Sequence, residues 1–282
     1  MRRFWLAVMM LGAATGARAA DMPDFLRGSI PAETTTRNWD GWYAGGQVSE
    51  SWINTDFGNT VVSMTNSIFR NTTLQGPTSN LTLLGRSNGQ SSGFGAFVGR
   101  NFQYGEVVLG AEANYSWWSG LSTSSSASLG PIQVAEPTLV LPTGANAADG
   151  VSLNGKASLQ VKDEVTFRGR AGWANGDFLP YMFGGLAVGR MDVSRTVTSS
   201  VNRTINFADG SSTTFALPQF AQTVTDGRTN NFVAGWTAGL GLEYALWGNV
   251  FLRAEWEYVK FMQVKNTSVT QNNVHAGIGY KF

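Results

Sequence analysis

A chain of 282 residues with a formal net charge of +1, no cysteine, 43% hydrophobic and only 14% charged residues departs from ordinary soluble domains, in which roughly 25% of residues are charged. The near-neutral balance gives no electrostatic argument for binding nucleic acid or an anionic membrane surface, because both need a clustered basic excess. The absence of thiols excludes disulfides and thiolate metal sites, and it fits an oxidising compartment.

Residues 1–19 read as an export signal. Arg2 and Arg3 form the positive start, residues 4–14 a short apolar stretch, and Ala17-Arg18-Ala19 places small residues before a cleavage site between Ala19 and Ala20. That apolar stretch falls short of the ~20 residues a spanning helix needs. No later segment has eighteen uninterrupted apolar residues either, so a membrane crossing by this chain would have to be a closed barrel of strands. Residues 20–40 lack periodicity and read as a periplasmic lead-in. Residues 41–282 carry eight segments with period-2 alternation, the pattern of barrel strands.

The first two segments, 42–52 and 93–103, alternate too weakly to fix which face points where. The third sets Leu109, Ala111, Ala113, Tyr115 and Trp117 against Glu112, Asn114 and Ser116, and the fourth sets Val165, Phe167, Ala171 and Trp173 against Glu164, Thr166, Arg168 and Arg170. The fifth, 180–193, is expected to turn Tyr181, Phe183, Ala187 and Met191 outward, with Arg190 and Asp192 inward. In the sixth, Phe232, Trp236, Leu240, Leu242 and Tyr244 oppose Gly235, Thr237, Gly239, Gly241 and Glu243. The seventh alternates most cleanly, with Leu252, Ala254, Trp256 and Tyr258 on one face and Arg253, Glu255 and Glu257 on the other. A one-residue rotation there would put Arg253 into lipid at about 2–4 kcal/mol, so its facing is strongly specified. The eighth, 273–282, turns His275 and Lys281 inward and ends on Phe282.

The connections alternate in length. Tyr104-Gly105-Glu106, Asn175-Gly176-Asp177 and Trp247-Gly248-Asn249 are tight turns, whereas 53–90, 120–156 and 196–227 are long, Ser/Thr/Asn/Gly-rich loops, and 264–270 is a shorter one. Short turns on the periplasmic side and long loops outside are the rule for outer-membrane barrels. Trp42, Trp52, Trp117, Trp118, Trp173, Tyr181, Tyr244, Trp247, Tyr258 and Tyr280 fall near strand ends and are expected to form two interfacial girdles.

The closing Gly277-Ile278-Gly279-Tyr280-Lys281-Phe282 resembles the C-terminal signature that outer-membrane proteins present to the barrel-assembly machinery, with Ile278, Tyr280 and Phe282 as its apolar row. Trp39-Asp40-Gly41-Trp42-Tyr43, Gly95-Ala96-Phe97-Val98-Gly99, Val108-Leu109-Gly110-Ala111-Glu112, Arg168-Gly169-Arg170-Ala171-Gly172-Trp173 and Gly235-Trp236-Thr237-Ala238-Gly239 add to the likeness. Together they resemble the small outer-membrane β-barrels of alphaproteobacteria, known as "porin family" proteins or outer-membrane surface antigens, and more distantly the OmpA transmembrane domain. The resemblance implies an all-β, eight-stranded antiparallel up-and-down transmembrane barrel in the outer membrane of a Gram-negative cell. It also implies surface loops that act as antigens or contact sites. It does not imply one activity, and no C-terminal peptidoglycan-binding domain is expected.

By the facing above, Glu112, Glu164, Arg168, Arg170, Arg190, Asp192, Glu243, Arg253, Glu255, Glu257 and Lys281 point into the lumen. Their mixed signs favour a salt-bridged plug, since eight strands leave an interior that side chains fill. The alternative is the lining of a low-conductance pore for small hydrophilic solutes. His275 is the sole histidine, and no convergent partners are legible beside it, so neither a nucleophilic triad nor a zinc site is expected. The three long loops hold no histidine, so no haem or other cofactor is expected. The function expected is a non-enzymatic structural or surface role. Its partners are outer-membrane lipid and lipopolysaccharide, the barrel-assembly machinery, and a host or neighbouring-cell surface met through the loops, with no nucleic acid.

Overall fold

The computed structural model describes residues 37–79 and 81–282. The signal segment, its Ala19–Ala20 cleavage pair and most of the lead-in lie outside the described residues. The strands are β1 (Gly41–Asp56), β2 (Arg86–Tyr104), β3 (Val107–Ala135), β4 (Asn146–Trp173), β5 (Phe178–Asn206), β6 (Ser212–Ala216), β7 (Gln222–Trp247), β8 (Val250–Phe261) and β9 (Ser268–Lys281). Two short helices, α1 (Val62–Ile68) and α2 (Gln75–Thr78), lie between β1 and β2.

All pairings are antiparallel. β1 to β5 pair in chain order, β5 continues to β7, then β8 and β9, and β9 returns to β1, so eight strands close a ring. β6 adds only to the far end of β5, from Asn202↔Ala216 to Asn206↔Ser212. A closed ring satisfies backbone groups that hydrocarbon could not. The tight turns fall where their glycines predict: Gly105, Gly176 and Gly248 sit at φ +64°, +58° and +53°, a region that side chains strain to adopt.

Outside the ring, Val98, Phe102, Leu109, Phe167, Leu186, Leu240, Leu252 and Ile278 form an exposed apolar band. Trp42, Trp173, Trp247 and Tyr280 border it at the turn end, and Trp52 and Trp117 at the loop end. An apolar belt of this extent is stable against lipid and unstable against water. Trp118 does not join the girdle. It is buried among the interior apolar residues, as are Tyr181 and Phe183.

Much of what reads as long loop is strand. β3, β4 and β5 run 28 or 29 residues, well past the apolar band, and β7 runs 26. Register shifts mark the handover, between Trp117 and Leu121 in β3, between Val161 and Asp163 in β4, and between Met191 and Val193 where β5 meets β7. Beyond them the outer face changes from apolar to hydroxylated, with Thr196–Thr225 and Thr198–Thr223 pairs at 3.1 and 3.0 Å across β5 and β7. The inner face stays apolar through Leu121, Leu153, Leu159, Val161, Val193 and Val197, and packs on Phe57, Val61, Phe69, Leu74 and Leu84 from the β1–β2 connection. That connection is therefore tucked over the mouth of the ring as the core of a raised sheet.

Candidate functional site

The interior is filled in three layers. At the turn end, Trp39, Tyr43, Phe97, Leu179, Tyr181, Phe183 and Phe251 form an aromatic floor. The five inward rings of the strands each sit opposite a glycine on a neighbouring strand: Tyr43↔Gly99 and Phe97↔Gly45, Tyr181↔Gly241 and Phe183↔Gly239, and Phe251↔Gly279. A Cβ on any of these glycines would collide with the facing ring, so the glycines make room for the floor.

Above the floor lies the charged layer. Arg168 donates from Nε and Nη2 to Glu112 Oε1 at 2.9 and 2.6 Å, and from Nη2 to Glu255 Oε2 at 2.6 Å. Arg253 Nη2 donates to Glu112 Oε2 at 2.5 Å and to Glu243 Oε1 at 2.8 Å. Arg170 Nη1 donates to Glu243 Oε1 at 2.8 Å and to the Tyr43 hydroxyl at 3.0 Å. Each guanidinium also stacks on a floor ring, Arg168 over Phe183 at 4.0 Å, Arg170 over Tyr181 at 3.8 Å and Arg253 over Phe97 at 3.7 Å. Glu257 accepts from Thr237 Oγ1 at 2.7 Å and lies 3.4 Å from Arg168 Nη1. Glu164 is held only by Asn273 Nδ2 at 3.2 Å, with one carboxylate oxygen unpartnered among the described residues.

Three of the charges expected in the lumen are elsewhere. β5 faces opposite to expectation: Tyr181, Phe183, Ala187 and Met191 are buried inside, while Met182, Leu186 and Val188 face lipid. Arg190 and Asp192 consequently point outward, where Arg190 pairs with Asp163 and Asp192 with Lys162 Nζ at 2.8 Å. Both lie past the last lipid-facing residue, Val188, at the level of the register shifts, so outward charge there meets headgroups and water instead of hydrocarbon. Lys281 sits at the turn-end mouth, donating to the Asn38 carbonyl. Ile278, Tyr280 and Phe282 form an exposed row on the outer face of β9 and the residue after it.

His275 has the partners that sequence spacing hid. Ser49 Oγ lies 2.6 Å from its Nδ1, and Glu257 Oε2 lies 3.0 Å from its Nε2. β1, β8 and β9 are adjacent in the ring, which aligns residues far apart in the chain. The three are buried, His275 completely, between the aromatic floor and the loop-end core. Ser49 and Glu257 thus hold the two ring nitrogens of His275 within the interior.

The third layer is the loop-end core. Arg195 ties it to the ring, donating from Nη1 to the Thr60 carbonyl at 2.5 Å and from Nη2 to Asp226 at 2.6 Å. Asp226 also accepts from Lys265 Nζ at 2.9 Å, and these two cations, Lys265 first, hold its carboxyl down at about 2. Glu136, near the tip of the β3–β4 hairpin, accepts from Thr138 and Thr73, which lowers its carboxyl below the ordinary range.

A family model described as the outer membrane protein beta-barrel domain matches residues 6–282. The 25 kDa outer-membrane immunogenic protein of Brucella canis is 27% identical over 201 residues, covering 67% of this chain and 64% of that relative. The 31 kDa outer-membrane immunogenic protein of Brucella melitensis biotype 1 is 29% identical over 188 residues, 63% of this chain and 67% of the relative. The match thus spans just under two thirds of the length of the first relative. The crystal structure of Neisserial surface protein A covers 86% of this chain and 97% of its own at 12% identity, with a TM-score of 0.33, too low to bear on this chain.

Proposed function

Because the chain belongs to the outer membrane protein beta-barrel domain family and so resides in the outer membrane, we propose that it is a non-enzymatic surface protein whose barrel anchors a raised β-sheet outside the cell. Its role in this reading is structural, with the sheet serving as antigen or adhesive contact. The observation that carries the proposal is the raised sheet itself, with its own apolar core inside and a hydroxylated face outside. The relatives' names, outer-membrane immunogenic proteins, support the same reading. The enclosure of Ser49, His275 and Glu257 supports the absence of catalysis, and no observation favours the pore reading over a filled lumen.

Lipid and lipopolysaccharide are the partners of the apolar band, and the barrel-assembly machinery is the partner of the Ile278, Tyr280 and Phe282 row. A host or neighbouring-cell surface would meet the tip of the β3–β4 hairpin, where Val140 is 96% exposed. Surface display is tested by cysteine labelling, as the chain has no cysteine of its own. On intact cells Val140→Cys should react with a membrane-impermeant maleimide, and Glu106→Cys, exposed in a tight turn, only after permeabilisation. Equal labelling of both, or the reverse order, overturns the proposal. For adhesion, replacing residues 137–144 by a short turn should leave the barrel folded and reduce cell binding.

A further inference from the structure

Arg100 is a cation on the lipid-facing wall. It lies on β2 between Val98 and Phe102 of the apolar band, and its cross-strand partners are Trp42 on β1 and Ala111 on β3. Arginine facing hydrocarbon is costly at the midplane and tolerated near an interface, so its charge has to reach headgroups. The side chain runs that way: its guanidinium lies 4.8 Å over the ring of Phe102, two residues nearer the tight turn, and 5.6 Å from the ring of Trp42 in the girdle. Its four neighbours on that face carry no carboxylate, and it has no ion-pair partner among the described residues. Beside it the wall is recessed. Ala111 and Ala113 on β3 and Gly169 on β4 leave a groove of about 500 Å³ between Val98 and Phe167, with Arg100 in its wall. Glu112 and Arg168 reach the groove only by their backbone, because their side chains are buried in the ring.

We propose that Arg100 and this groove bind one glycerophospholipid of the periplasmic leaflet. The guanidinium takes the phosphodiester through its planar fork of donors, the geometry in which arginine recognises phosphate. An acyl chain lies over Ala111, Ala113 and Gly169, against Val98 and Phe167. Charge selects the occupant: the groove alone would accept any hydrocarbon, whereas an unpaired cation at the headgroup edge of a chain-sized groove calls for an anionic phosphate carried on a chain. The inference deepens the reading of the apolar band as lipid-facing and rests on it.

The test is native mass spectrometry of the full chain refolded in detergent, with phosphatidylglycerol as the probe and a diacylglycerol of the same chains as the phosphate-free control. One phosphatidylglycerol should bind about tenfold or more tightly than diacylglycerol, the factor set by one charge-assisted contact. Arg100→Gln should erase that preference, and Arg100→Lys, which keeps the charge, should retain it. Ala113→Leu, which fills the groove and leaves Arg100 in place, should weaken both lipids several-fold. Heat-modifiable gel migration verifies the fold of each variant. Equal binding of the two lipids, an unchanged preference in Arg100→Gln, or no effect of Ala113→Leu overturns the proposal. So does displacement of the lipid by glycerol 3-phosphate at about 10 mM, which would show that the phosphate binds without its chains. Detergent solution has no leaflets, so the outcome is independent of the labelling experiment that tests surface display.

Discussion

The ring of Tyr181 on β5 occupies the space that a side chain at its cross-strand partner Gly241 on β7 would need. Tyr181 then reaches past the floor, its hydroxyl donating to Glu255 while Arg170 stacks on its face at 3.8 Å. Gly241→Ala should therefore overpack the interior and lower unfolding stability by about 1–3 kcal/mol. In a double-mutant cycle with Tyr181→Ala most of that loss should disappear, because the colliding ring is gone. Urea unfolding in detergent micelles measures both, and additive losses would show that the two residues do not share the space.

The same pair shows where sequence reading stopped. Alternation places β3, β4, β7 and β8 correctly because each has charge on one face and large apolar groups on the other, as with Arg253 and Trp256. In β5 both faces are apolar within the band, Tyr181 and Phe183 against Met182 and Leu186, so period-2 patterning has no contrast to read. The deciding signal lies on the neighbouring strand, in Gly239 and Gly241, and it needs the register to be known. The raised sheet was hidden differently. Its inward residues do alternate, as in Val151, Leu153, Leu159 and Val161, but their Ser- and Asn-rich outer partners give the segment the composition of a loop.

Charge removal inside the ring should have opposite consequences at two glutamates. Glu112 receives Arg168 and Arg253, so Glu112→Gln leaves two buried guanidinium groups short of an acceptor and should cost about 3–5 kcal/mol. Glu164 has no cation within ion-pair distance among the described residues and keeps an unpartnered oxygen, so Glu164→Gln should be neutral or stabilising. Thermal unfolding of the two variants side by side checks the ordering, and a larger loss at Glu164 would mean that its compensation has been misidentified.

The loop-end core should come apart without opening a channel. Phe57 and Phe69 are fully buried in it, and truncation of either to alanine should cost about 3–5 kcal/mol, confined to the raised sheet. Limited proteolysis should then cut residues 57–85 while heat-modifiable migration of the barrel is unchanged. In planar bilayers neither the parent nor the variants should give steady conductance, because the Arg168, Arg170 and Arg253 layer beneath still fills the ring. Steady conductance after loosening the upper core alone would show that this core, and not the charged layer, is the seal.

Acid should loosen the raised sheet at one identifiable point. Asp226 lies in the loop-end part of β7, and Lys265 and Arg195 depress its carboxyl from the ordinary 3.8 to about 2. A carboxyl depressed in the folded state contributes stability that is fully present above its unfolded value and is lost as pH falls through the folded one, here between about pH 4 and about pH 2. The side chain is 33% exposed, so solvent screening keeps the contribution below about 1 kcal/mol. Global unfolding will not register it; hydrogen exchange of residues 222–231 and 262–267 will, as a protection step across that window. In Asp226→Asn the step should vanish, with exchange already raised at about pH 5. A step of the same size in that variant would assign the acid response to another carboxylate of the raised sheet, with Glu136 the next to replace.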